Sequence, residues 1–73
     1  MDRDVYAKVF RAIERAGGLA TFAHLRQDID MHVSSDQISQ AITALEEAGR
    51  IAILLGPKQT VFYASQATLE IAR

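Results

Sequence analysis

The chain has no cysteine, no tryptophan, one proline and four glycines in 73 residues. Without cysteine there is no disulfide to staple a small core. Any metal would have to be held by nitrogen and oxygen ligands alone. No apolar run approaches the roughly 20 residues that cross a bilayer, and the opening MDRDVYAKVF lacks the apolar stretch of a secretory signal. The expectation is a cytoplasmic protein without membrane contact. Neither sign of charge dominates. Eight Lys and Arg face nine Asp and Glu, a net charge of −1, so the cationic excess common among nucleic-acid binders is missing. Internal repeats, low-complexity tracts and linkers are missing too. At this length there is material for one core but not for a core and an enclosed substrate cavity, which points to one domain over 1–73.

What is present is a globular composition, 49% apolar and 23% charged. From Asp2 to Ala16, Val5, Val9, Ile13 and Ala16 recur along one helical face with Tyr6 and Phe10 beside them, and Asp2 is placed to cap. Gly17-Gly18 ends that helix, and Leu19-Ala20 reads as a brief third strand for a later hairpin. Thr21 caps a second helix carrying Phe22, Leu25 and Ile29 on one side and ending near Asp28. Asp30-Met31-His32-Val33 then forms a turn.

The stretch from Ser34 to Ala64 is the most informative. Ser34 is an N-cap whose hydroxyl can accept from the Gln37 N–H while Gln37 reaches back, and Val33 can staple onto Ile38. Ile38, Ala41, Ile42, Leu45 and Ala48 follow at helical spacing, and Gly49 is suited to the left-handed residue that ends a helix. Arg50 to Leu55 reads as a strand, Gly56-Pro57-Lys58-Gln59-Thr60 as a turn, and Val61-Phe62-Tyr63-Ala64 as the returning strand. Ser65 can cap a short final segment, QATLEIAR, whose Leu69 and Ala72 offer packing to the first helix or to another copy.

Three helices and a C-terminal hairpin, the second and third helices joined by a short turn, make an α+β chain that resembles the winged helix-turn-helix superfamily over residues 2–64. The stretch Leu19-Ala20-Thr21-Phe22-Ala23-His24-Leu25 is similar to the family's entry into its second helix. Ile42-Thr43-Ala44-Leu45-Glu46-Glu47-Ala48-Gly49-Arg50-Ile51 is similar to the close of the recognition helix in bacterial regulators of the multiple-drug-resistance and arsenical-resistance types. The resemblance implies a small transcriptional regulator that binds double-stranded DNA. The third helix, about 34–48, would enter the major groove, and the hairpin wing, 50–64, would lie on the backbone. The superfamily also includes protein-binding modules, so an interaction module without DNA binding is the alternative.

The candidate DNA-binding residues follow from this placement. Ser34, Ser35, Gln37, Gln40 and Thr43 lie off the apolar face, and glutamine can bond adenine at two points while serine and threonine can bond bases or phosphates. Lys58 at the turn tip and Arg50 at the hairpin base are the candidate phosphate contacts. Against this, the third helix has no Lys or Arg and carries Asp36, Glu46 and Glu47, so a solvated face or a protein contact competes with base reading. A protein partner would be met by Ile53, Leu55, Val61 and Tyr63 at strand spacing. Lys8, Arg11 and Arg15 form a basic stripe on the first helix, best read as a solvated face.

His24, Asp28 and His32 recur every four residues, the spacing of helix-borne metal ligands, but His32 falls in the turn after the second helix, which favours ordinary surface histidines. No nucleophile has a plausible base partner, and Gly56-Pro57-Lys58 lacks the spacing of a phosphate loop, so no enzyme activity, metal or other cofactor is expected. A lone 8 kDa domain with few cations binds DNA weakly. We therefore expect a homodimer, through the first helix and the C-terminal segment, to supply two contacts.

Overall fold

The computed structural model describes residues 3–66 and 68. In chain order it contains α1 (Arg3–Arg15), β1 (Leu19–Thr21), α2 (Phe22–Asp28), α3 (Ser35–Glu47), β2 (Ile51–Leu55), a single 3-10 turn (Pro57–Gln59) and β3 (Val61–Ser65). The strands form one antiparallel sheet in the order β1-β3-β2. Tyr63 pairs with Ala20 on one side and with Ile53 on the other, so β3 is the central strand. This is a small α+β fold with the three helices gathered over one core.

That core is the set of faces the periodicities mark. Val5, Val9, Ala12 and Ile13 of α1 meet Leu25 and Ile29 from the α2 region, Ile38, Ala41, Ile42 and Leu45 of α3, and Ala20, Ile51 and Tyr63 of the sheet. Tyr6, Phe10, Ala16 and Phe22 close its margin. Val33 and Ile38, the predicted staple, are both buried in it. One position departs from the pattern: Ala48, spaced to join the α3 face, is exposed. It is the C-cap, and the chain there is already turning out of the helix.

Both long helices end in the same way. After α3, the Gly49 N–H donates to the Glu46 carbonyl at 2.9 Å and the Arg50 N–H to the Leu45 carbonyl at 3.0 Å, with Gly49 at φ +73°. After α1, the Gly17 and Gly18 N–H groups donate to Glu14 and Ile13 in the same pattern. This double closure satisfies carbonyls that a helix end leaves open and turns the chain sharply. It sends α1 into β1 and α3 into β2 through turns of three residues each.

The caps at the other ends are as expected. Thr21 accepts from the His24 N–H at 3.2 Å and starts α2. Ser34 and Gln37 form a full capping box at the start of α3. Asp2, the expected cap of α1, lies outside the described residues, as do Leu69 and Ala72. Ser65 ends β3, and its hydroxyl accepts from the Thr68 N–H at 3.4 Å, the geometry expected of a cap for the following segment. Among the described residues no helix is long and apolar enough to cross a membrane.

Candidate nucleic-acid interface

The connection from α2 to α3 determines how α3 is presented, and it is held by a residue that the sequence pattern did not single out. The Arg26 guanidinium, half-buried, donates to the main-chain carbonyls of Val33 at 2.5 Å and Asp30 at 2.9 Å, and reaches that of Ile29 at 3.5 Å. Inside the same turn the His32 N–H donates to the Asp30 carboxylate at 3.0 Å, and the Val33 N–H to the Asp30 carbonyl at 3.0 Å. The bond from His32 holds the Asp30 carboxyl below the ordinary carboxylate range, with the charges of His32, Lys8 and Arg26 adding to it. A single cation therefore gathers three main-chain carbonyls of the connection, those of Ile29, Asp30 and Val33.

Beyond this turn, Ser34, Ser35, Asp36, Ser39, Gln40, Thr43, Glu46 and Glu47 are exposed on α3. The candidate readers differ in what they still have to offer. Gln37 accepts from the Ser34 N–H through Oε1 at 2.9 Å, and the Ser34 hydroxyl accepts from the Gln37 N–H at 3.2 Å. A two-point contact with adenine needs the amide oxygen and the amide nitrogen together, so the capping box removes Gln37 from that role. Thr43 donates its hydroxyl to the Ser39 carbonyl at 3.1 Å and keeps only acceptor capacity. Ser35 and Gln40 take no hydrogen-bond partner among the described residues. Of the five polar candidates on this helix, they alone present their full donor and acceptor sets.

The candidate cations are not brought together with them. Arg50 turns toward α1, its guanidinium carbon 5.6 Å from the centre of the Phe10 ring and 6.0 Å from that of Tyr6, a cation–π position. Lys58 stands at the tip of the hairpin in a left-handed conformation (φ 58°, ψ 29°), and Gln59 follows at φ 62°. The basic stripe on α1 is broken up as well. Arg15 donates through Nε and Nη2 to one oxygen of Asp28, at 3.2 and 2.8 Å, tying the end of α1 to the end of α2. The same pair, with α2 ending at Asp28, removes the continuous face on which His24, Asp28 and His32 would converge. Among the described residues no three His, Cys, Asp or Glu stand close enough to hold a metal ion.

The hairpin itself is apolar. Ile53, Leu54, Leu55 and Val61 are exposed, Leu55 by 74%. Because alternate residues share a face, Ile53, Leu55 and Val61 continue the face on which Ile51 and Tyr63 are buried, and carry it past the edge of the core. Leu54 and Phe62 lie on the opposite face. No protein-family model, curated protein or solved structure matches this chain.

Proposed function

We propose that this chain is a winged helix-turn-helix protein that binds double-stranded DNA, with α3 in the major groove and the hairpin as a wing along the neighbouring backbone, and that it regulates transcription. What carries the reading is the presentation of α3. It is capped at both ends, backed by the core along one face, tied to α2 by Arg26, and left with Ser35 and Gln40 outward and uncommitted. A rigid helix with two free polar readers near its start is what a groove of major-groove width admits. Affinity for the backbone is low in this reading, since Lys58 is the only cation from Ile51 to Ser65 and provides at most one phosphate contact.

A second reading is supported by a separate observation. The wing exposes four large apolar side chains, while α3 carries Asp36, Glu46 and Glu47 and no cation. Such a surface suits a protein partner better than a phosphate backbone.

Fluorescence anisotropy with mixed genomic DNA fragments at about 50 mM salt separates the two, because electrostatic binding is strongest at low salt. The DNA reading expects saturable binding with a shallow salt dependence, a slope near one per protomer. If the folded protein shows no saturable binding there, α3 is a docking surface for a basic protein and the DNA reading fails.

A further inference from the structure

We propose that a second copy of this chain docks on the open edge of β2, the two β2 strands pairing antiparallel about a two-fold axis at Ile53 to join the two sheets into one. The proposal rests on the sheet and not on the DNA reading.

The free backbone groups come first. The Gly56 N–H donates to Thr60 across the hairpin and the Gln66 N–H to Arg50 at its base. With the register between these points, Ala52 and Leu54 also turn their main-chain groups toward β3. The N–H and C=O groups of Ile51, Ile53 and Leu55 therefore point away from β3, along an edge that is unpaired among the described residues and is exposed at Ile53 and Leu55, while Ile51 is buried. An open edge of this kind is a template for another strand, and proteins usually blunt it with charge, proline or a bulge. The segment Ile51-Ala52-Ile53-Leu54-Leu55 has none of these.

A second copy of the same edge fits it completely. About a two-fold at Ile53, Ile53 exchanges both main-chain hydrogen bonds with its own copy, and Ile51 exchanges both with Leu55 of the partner subunit, in both directions. Every outward N–H and C=O of the two strands is satisfied. The side chains match as well. The axis is normal to the sheet, so Ile53 and Leu55 of both copies meet on one face, where Leu55 lies beside the end of the partner's core at Ile51, and Leu54 meets Ala52 on the other face.

Charge completes the fit. Each wing tip runs alongside the residues that lead into the partner's β2, which brings Lys58 to the C-terminal end of the other α3. Glu46, Glu47 and the negative pole of the helix stand there. In this dimer Lys58 offsets the partner's carboxylates and is not spent on a phosphate, and no like charges are placed opposite one another along the strands.

The absence of cysteine gives a clean test on the full chain. In a hydrogen-bonded pair the two Ile53 Cα atoms stand about 5.5 Å apart, within the span of a disulfide. The two Leu55 Cα atoms lie roughly 14 Å apart, outside it. Under mild oxidation Ile53→Cys should give a covalent dimer, and Leu55→Cys and the control Met31→Cys should not. Sedimentation of the unmodified protein should show a dimer by about 100 μM. Leu55→Pro removes an outward N–H without removing a bond to β3, and should weaken the dimer by about tenfold or more with the circular dichroism unchanged. A monomer at every concentration, cross-linking at Leu55 or Met31 as readily as at Ile53, or a dimer indifferent to Leu55→Pro in a folded protein would each overturn the proposal.

Discussion

Arg26 on α2 donates its guanidinium to the main-chain carbonyl of Val33, the residue immediately before the Ser34 cap of α3, so one cation ties α2 to the start of α3. The bond is charge-assisted and partly withdrawn from water, and the same group serves the Asp30 carbonyl. Replacing Arg26 with Met keeps the aliphatic stem but leaves these acceptors without their donor. We expect a loss of about 1 to 3 kcal/mol in thermal unfolding. Amide exchange in the Asp30–Val33 turn should rise before exchange in α1 does.

Leu45 has no exposed surface and lies at the centre of the core between α1, α3 and the sheet. Leu45→Ala should cost roughly 2 to 5 kcal/mol, a large part of the stability of so small a domain. Denaturant titration checks it. A variant as stable as the parent would mean that this face of α3 is not the packed one.

Two of the three glycines that follow the long helices, Gly49 and Gly18, should answer differently to the same change. Gly49 holds φ +73° with open space around it, so Gly49→Ala meets only the backbone cost, about 1 to 2 kcal/mol. Gly18 holds φ +85°, and an added Cβ there would collide with the Thr68 hydroxyl and stand 2.8 Å from that of Ser65. Gly18→Ala should therefore be the more destabilising by urea midpoint, because it adds a steric clash to the same strain. Equal losses would show that the Ser65 and Thr68 side chains move aside freely.

These contrasts mark what the sequence could and could not disclose. Caps, staple and helix ends were legible because they are local: Ser34, Gln37, Val33 and Gly49 act on residues a few positions away, and their chemistry follows from spacing. The strand at Leu19-Ala20 was legible once a hairpin existed for it to pair with, although Thr21, legible only as a cap, also belongs to it. Arg26 was not, since its acceptors are main-chain carbonyls, which every residue has and no pattern reveals. Nor was the position of Arg50 beside Phe10 and Tyr6, or the pairing of Arg15 with Asp28, both of which join residues distant in sequence. Spacing gave Gln37 two roles, cap and base reader, and the geometry leaves room for the first.

Asp30 should shape the acid side of the stability curve. Its carboxyl is held below the usual range, first by the His32 N–H and then by the neighbouring positive charges. A group whose pKa is depressed in the folded state stabilises it above the unfolded-state pKa. That contribution is lost as pH falls through the lower, folded value. Asp30→Asn should accordingly lose stability at neutral pH and show a flatter decline below about pH 4, the ordinary carboxylate range. Thermal unfolding from pH 7 to 2 reads this directly, and parallel curves for the two proteins would exclude the linkage.

Gln37 and Gln40 lie one turn apart on α3 and give the sharpest separation of structure from reading. Gln37 spends its amide oxygen on the Ser34 N–H, while Gln40 is exposed with its whole amide free. Gln37→Ala should therefore cost about 0.5 to 2 kcal/mol of stability through the broken capping box, yet leave the ranking of DNA sequences unchanged. Gln40→Ala should leave the unfolding midpoint where it is, since nothing within the described fold depends on its side chain. In the DNA reading it should flatten discrimination between the preferred site and its single-base variants by about 1 to 3 kcal/mol at one position. The measurement is a pair of unfolding curves beside competition binding with a panel of substituted duplexes. If Gln37→Ala altered the ranking and Gln40→Ala did not, the side of α3 that faces the groove would be the other one.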